Sequence, residues 1–145
     1  MVAEEIQSPI KTLRVVKEVL IAAPADVVFE TLLEPHGPMK ELNMKLEPWP
    51  GGRWFRDLGN NTGHLWGHVQ VIKPPKLLEL VGPTMMSYPA VSHIQYRLTE
   101  QPGGTLLKFT HQAFGLIEPD LEQKVDKGWG EMLDHIRAAA EKKRV

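Results

Sequence analysis

The chain has 145 residues, of which 42% are hydrophobic, and its 17 basic residues against 18 acidic ones leave a formal charge of -1. This length fits a single domain over residues 1–145, and such a balanced charge argues against nucleic acid as a partner. The chain has no cysteine, which excludes disulfides and thiolate nucleophiles and favours a cytoplasmic protein. Because no run of about 18 apolar residues occurs, we expect no membrane insertion.

The first third of the chain predicts one long strand followed by two short helices. Residues 1–10 are interpreted as a loose leader, and the β-branched segment after them as a strand that ends near Pro24. Pro24 opens a helix that Pro35 stops. One turn of a second helix is expected at residues 39–42, inside a stretch rich in proline and glycine.

From Gly51 onward, turn signals separate five short segments, which indicates an antiparallel meander of strands. The segment at residues 91–100 shows the alternation most clearly. Ile94, Tyr96 and Leu98 share one face, and polar side chains occupy the other. One face of this meander is therefore expected to cover a core.

The last segment, from Pro119 to Lys143, predicts a long helix because its apolar residues recur at helical spacing. Gly128 and Gly130 lie inside this helix, and each costs roughly 1 kcal/mol relative to alanine. The expected buried stripe consists of Leu121, Val125, Gly128, Trp129, Met132, Leu133, Ile136 and Ala140.

Five segments, in this order and spacing, resemble the START-like superfamily, also called SRPBCC or helix-grip. They are IAAPADVVFETLLEP at 21–35, GGRWF at 51–55, GHVQVIKPPKLLEL at 67–80, GGTLLKFTHQAF at 103–114 and GW at 128–129. Within this superfamily, the chain resembles the subgroup that is similar to the C-terminal domain of the activator of the heat-shock-protein-90 ATPase.

This resemblance implies an α+β helix-grip fold, in which a curved antiparallel sheet surrounds a long C-terminal helix and two short helices follow the first strand. It also implies an apolar cavity between the sheet and the helix. In such a fold, we expect the missing side chain of Gly128 to let the helix approach the sheet closely while Trp129 fills the adjoining space.

The leading functional hypothesis is therefore non-enzymatic binding of a hydrophobic or amphipathic small molecule in that cavity, with a volume of at least ~300 Å³. Met86 and Tyr88 are expected near its mouth because they lie between two strands, and unbranched methionines adapt to irregular ligands. The candidate ligand-binding residues are Trp54, Trp66, Met86, Tyr88, Ile94, Tyr96, Phe109, His111, Trp129, Met132, Leu133 and Ile136.

Neither a catalytic residue, a metal site nor a cofactor is assigned from the sequence. His64 and His68 are expected on the same face of a strand, roughly 13 Å apart, which is too far for shared metal ligation. His111 is expected to face the core, where it either hydrogen-bonds to the protein or contacts a ligand.

Two other classes of function stay open. The first is a cyclase or aromatase acting on a polyketide-like substrate, for which His111 and Tyr96 are the candidate polar groups. The second is a stress-related or chaperone-associated interaction protein, as the resemblance to the activator suggests. The sequence also leaves a homodimer open.

Overall fold

The computed structural model describes residues 9–143. The predicted leader at residues 1–10 therefore falls almost wholly outside the described residues. Within them, seven strands and three helices follow one another along the chain. The elements are β1 (Lys11–Ile21), α1 (Ala25–Leu32), α2 (Pro38–Glu41), β2 (Met44–Leu46), β3 (Arg53–Gly59), β4 (Thr62–Lys73), β5 (Leu77–Gly82), β6 (Ala90–Gln101), β7 (Gly104–Gly115) and α3 (Leu121–Lys143).

The strands form one curved antiparallel sheet in the order β1-β7-β6-β5-β4-β3-β2. Strands β2 to β7 run as a meander, and β1 joins the free edge of β7 along its whole length, from Lys11 opposite Gly115 to Ile21 opposite Thr105. The predicted α+β helix-grip architecture is therefore confirmed.

The inner face of the sheet is the side that alternation assigns to the core. In β6, Ser92, Ile94, Tyr96 and Leu98 are all buried, and the side chains between them are more exposed. Strand β7 repeats the pattern from Thr105 to Ala113. The inward side chains of the strands thus build the sheet side of the core.

Helix α3 lies against the inner face of the sheet and closes the core, to which α1 adds Val28 and Phe29. The buried side chains of α3 are Val125, Trp129, Met132, Leu133, Ile136 and Ala140.

Polar contacts tie α3 to β1 and α1 along its length. Lys17 of β1 pairs with Asp126 at 3.2 Å, and the Ala22 backbone N–H donates to Glu141 at 2.8 Å. Near the helix end, Lys143 pairs with Glu34 at 2.8 Å. These contacts join the helix to β1 and to the segment that follows α1.

None of the helices in residues 9–143 has an apolar stretch long enough to cross a bilayer.

Candidate ligand-binding cleft

The centre of the space between sheet and helix is filled by aromatic side chains. Phe109 lies between Tyr96 and Trp129, with ring-centroid distances of 5.1 Å and 4.6 Å. The gap that remains beside them has a volume of only about 50 Å³. This central gap is far smaller than a small-molecule site requires.

His111 lies at this centre and both of its ring nitrogens are occupied. The Trp129 indole Nε1–H donates to Nδ1 at 2.9 Å, and Nε2 lies 2.8 Å from the Ser92 hydroxyl. Since Nδ1 accepts, the neutral ring must carry its proton on Nε2 and donate to Ser92. Ser92 continues the chain to Thr84, which donates to the Pro83 carbonyl at 2.6 Å.

Burial lowers the pKa of His111 from 6.5 to about 4, so the ring is neutral at physiological pH. A second proton would have to sit on Nδ1, where it would displace the Trp129 donor. His111 therefore holds the helix to the sheet through hydrogen bonds within the protein, and it offers no free nitrogen in this arrangement.

A much larger opening lies at one end of the sheet–helix interface, and we call it the α2–α3 cleft. Its volume is about 530 Å³ and its surface is mostly apolar. The lining residues are Pro38, Met39 and Leu42 from α2 and its C-cap, Arg56 from β3, His64 and Trp66 from β4, Met85 from the β5–β6 loop, and Leu121, Lys124, Val125, Gly128, Trp129, Glu131 and Met132 from α3.

Gly128 lies on the wall of this cleft, and the expectation that it allows close packing of helix and sheet is wrong. A Cβ built on Gly128 would meet nothing within 4 Å. The missing side chain instead widens the cleft beside Trp129, whose ring is buried. The glycine therefore keeps space open where any larger residue would narrow the opening.

A β-bulge places Trp66 in the wall opposite the helix. Trp54 pairs with Gly67 and Phe55 with Leu65, which leaves Trp66 as the extra residue of β4. The strands come unusually close beside it, since a Cβ on Gly67 would lie 2.6 Å from the Val81 carbonyl oxygen. The Trp66 ring is held edge-on against Trp54, with centroids 5.2 Å apart.

Arg56 and His64 stand directly opposite one another on β3 and β4, so their side chains share the face that lines the cleft. Arg56 was not among the predicted site residues, because an arginine in a strand is ordinarily read as solvated surface. The signal that could have identified Arg56 is its spacing from Trp54, because residues two positions apart in a strand project to the same side.

The sequence profile of the family described as Activator of Hsp90 ATPase homolog 1-like protein matches residues 22–141. The chain belongs to this family. The match spans the stretch from the end of β1 almost to the end of α3, so it covers every wall of the cleft. No curated protein shows significant sequence similarity to the chain.

Solved structures share the fold of this family member at low sequence identity. An uncharacterized protein from Rhizobium leguminosarum superimposes with a TM-score of 0.71 at 23% identity, covering 92% of this chain and 97% of that one. A protein from Mesorhizobium loti gives 0.69 at 19% identity, with 91% and 99% covered.

The di-domain ARO/CYC StfQ from the steffimycin biosynthetic pathway gives a TM-score of 0.64 at 13% identity, covering 91% of this chain and 51% of that one. The match therefore spans about half of the di-domain protein. At this identity, the likeness shows a common fold.

The structure distributes the twelve predicted ligand-binding residues over three environments. Trp66, Trp129 and Met132 line the α2–α3 cleft. Trp54, Tyr96 and Ile136 border the small central gap, together with Trp129 and Met132. Those that line neither space are Met86, Ile94, Phe109, His111 and Leu133, all buried in the core, and the half-buried Tyr88.

His64 and His68 project to opposite faces of the sheet, contrary to the expectation of a shared face. The bulge at Trp66 lies between them and reverses the alternation. His64 faces the cleft opposite Arg56, whereas His68 pairs with Arg53 on the outer face. Within residues 9–143, no group of three or more histidine or acidic side chains is arranged to hold a metal ion.

Proposed function

We propose that the protein binds a hydrophobic or amphipathic small molecule in the α2–α3 cleft. The observation that carries this proposal is the cleft itself, a mostly apolar space of about 530 Å³ between α3 and the sheet. This volume is typical of small-molecule sites, which range over about 300–1,000 Å³. The site lies at one end of the interface, because the aromatic cluster of Phe109 fills the centre.

The lining suits ligands of irregular shape. Met39, Met85 and Met132 project into the cleft from a short helix, a loop and the long helix. Methionine side chains are unbranched and polarizable, so they change rotamer to follow an apolar surface. Gly128 leaves the opening beside them free of a side chain.

The neutral probe decan-1-ol tests this function. We expect saturable one-to-one binding, measured by native mass spectrometry and by the fluorescence of the tryptophans. Gly128→Leu should weaken binding at least about tenfold by filling the opening. The matched control is Gly130→Leu on the same helix, because a Cβ there meets only the flexible end of Lys17 at 3.7 Å.

Two results would contradict this function. The first is the absence of saturable binding by folded wild-type protein. The second is an equal affinity of the Gly128 and Gly130 variants, because the ligand would then bind somewhere other than the cleft.

A cyclase-like reaction is a second candidate, supported by the fold shared with the di-domain ARO/CYC protein. Of the two polar groups suggested by the sequence, His111 is fully hydrogen-bonded and Tyr96 is buried, with its pKa raised by burial. Arg56 and His64 are the polar side chains that a substrate in the cleft would meet. Incubation with a linear polyketide mimic tests this candidate. It would be contradicted if the cyclised product formed no faster than in the uncatalysed reaction.

A chaperone partner and a homodimer are predictions from the sequence alone. Pull-down from stressed cells and sedimentation of the purified protein test them, respectively.

A further inference from the structure

Two hydrogen-bond donors in the α2–α3 cleft have no partner among the described residues. They are Nε of Arg56 and Nε1 of Trp66, and both atoms are buried. The Trp66 side chain as a whole is 6% exposed. A buried donor without a partner is unfavourable, and in folded proteins such a group is explained by a bound water or ion, by strain or by a functional role.

The other arginine of strand β3, Arg53, has its charge paired with a carboxylate. Arg53 donates to both carboxylate oxygens of Glu47, at 2.9 Å and 2.8 Å, and it stacks over Phe55 at 4.6 Å. No carboxylate within residues 9–143 pairs with Arg56. Of the two arginines, only Arg56 has its charge free to meet a ligand.

The remaining charged groups of the cleft lie on exposed turns of α3. Lys124 and Glu131 both border the opening, and they carry opposite charges. With Arg56, the lining therefore contains two cations and one carboxylate, and His64 stands beside Arg56. The cationic side chain nearest the sheet is Arg56, whereas the carboxylate of Glu131 is at the rim, on the helix.

We propose that the ligand of the cleft is an amphipathic anion, whose carboxylate is held by Arg56 and by the indole N–H of Trp66. The apolar part would lie along Met132 and Val125 of α3. A carboxylate has two oxygens that can accept from the two unpartnered donors, and a hydrogen bond in which one group is ionised is stronger than a neutral one. This inference rests on the proposed function, and it adds the chemical class of the ligand.

The test compares decanoate with decan-1-ol, which have the same chain length and differ in charge. Wild-type protein at neutral pH should bind decanoate at least about tenfold more tightly than decan-1-ol. Arg56→Gln should abolish this preference, because it removes the cation that holds the carboxylate of decanoate. Trp66→Phe, which removes the indole N–H and keeps an aromatic ring, should reduce the preference in part.

Arg53→Gln is the matched control, because it removes a guanidinium from the same strand outside the cleft. It should keep the full preference for decanoate. Equal affinities of wild-type protein for the two probes would overturn the anion proposal while leaving a cleft that binds apolar chains. The same preference in the Arg56 and Arg53 variants would also overturn it. If neither probe binds, both the anion proposal and the proposed function fail.

Discussion

His111 illustrates how one buried side chain can connect a helix to a sheet. Its two nitrogens connect α3, through Trp129, to β6, through Ser92. The sequence predicted that His111 faces inward, because it alternates with Leu107 and Phe109. It could not predict the hydrogen-bond partners, since these depend on the rotation of the helix over the sheet.

The pKa of His111 predicts a dependence of stability on pH. Burial lowers this pKa from 6.5 to about 4, so the folded protein takes up this proton less readily than the unfolded chain. The free energy of unfolding should therefore fall by roughly 3 kcal/mol as the pH drops from above 6.5 to below about 4. Above pH 6.5, His111 makes its full contribution to stability. Urea unfolding at several pH values measures the effect.

The comparison variant is His111→Gln, which does not titrate and should lack this part of the pH dependence. Identical pH profiles for the two proteins would contradict the lowered pKa, because the remaining histidines are common to both.

Trp129→Phe tests the hydrogen bond that fixes the His111 tautomer. The variant keeps an aromatic ring and leaves Nδ1 without its donor, which should lower the free energy of unfolding by about 1–3 kcal/mol. Trp49→Phe is the control, because Trp49 is 54% exposed, and its cost should stay within about 0.5 kcal/mol. Denaturant titrations measure both losses of unfolding free energy. Equal losses in the Trp129 and Trp49 variants would show that the Trp129 indole N–H contributes nothing to stability.

At the scale of elements, hydrophobic alternation predicted the strands well. The segment proposed at residues 91–100 lies within β6, which runs from Ala90 to Gln101. The short edge strand β2 was missed, because three residues give too little alternation in a region interrupted by proline and glycine. Helix α3 begins two residues later than expected, after Asp120 with its positive φ of 66°.

The glycines of α3 predict that the helix can be stabilised without loss of fold. A Cβ on Gly128 meets open space, and one on Gly130 makes ordinary contact with Lys17 at 3.7 Å. Each change to alanine should therefore raise the free energy of unfolding by up to about 1 kcal/mol. Denaturation midpoints measure this, and a loss of stability in Gly128→Ala would contradict the open position of Gly128.

At the scale of the whole molecule, the fold was predictable and the position of the α2–α3 cleft was not. Alternation identifies which side chains face inward, and that placed Ile94 and Phe109 correctly in the core. It does not show whether those side chains fill the interior, since this depends on how far the helix stands from the sheet. The cleft further depends on the bulge at Trp66, which a strict period of two residues hides.

Binding in the cleft should stabilise the whole domain, because the ligand needs α3, α2 and the sheet to be in place. Decanoate at about one hundred times its Kd should add about 2.7 kcal/mol, which corresponds to a rise in Tm of roughly 5–10 °C. Differential scanning calorimetry measures the rise. In Gly128→Leu, decanoate should raise Tm much less than in the wild-type protein. A rise equal to that of the wild type would contradict binding in the cleft.

The most direct test of the account is the response of the tryptophan indole N–H signals in ¹H–¹⁵N NMR spectra when decanoate is added. We predict that the Trp66 indole signal and the Gly128 backbone signal shift together, and that the Trp129 indole, already bound to His111, changes less. An unchanged Trp66 signal at saturation, with shifts concentrated around His111 and Phe109, would contradict the α2–α3 cleft as the binding site.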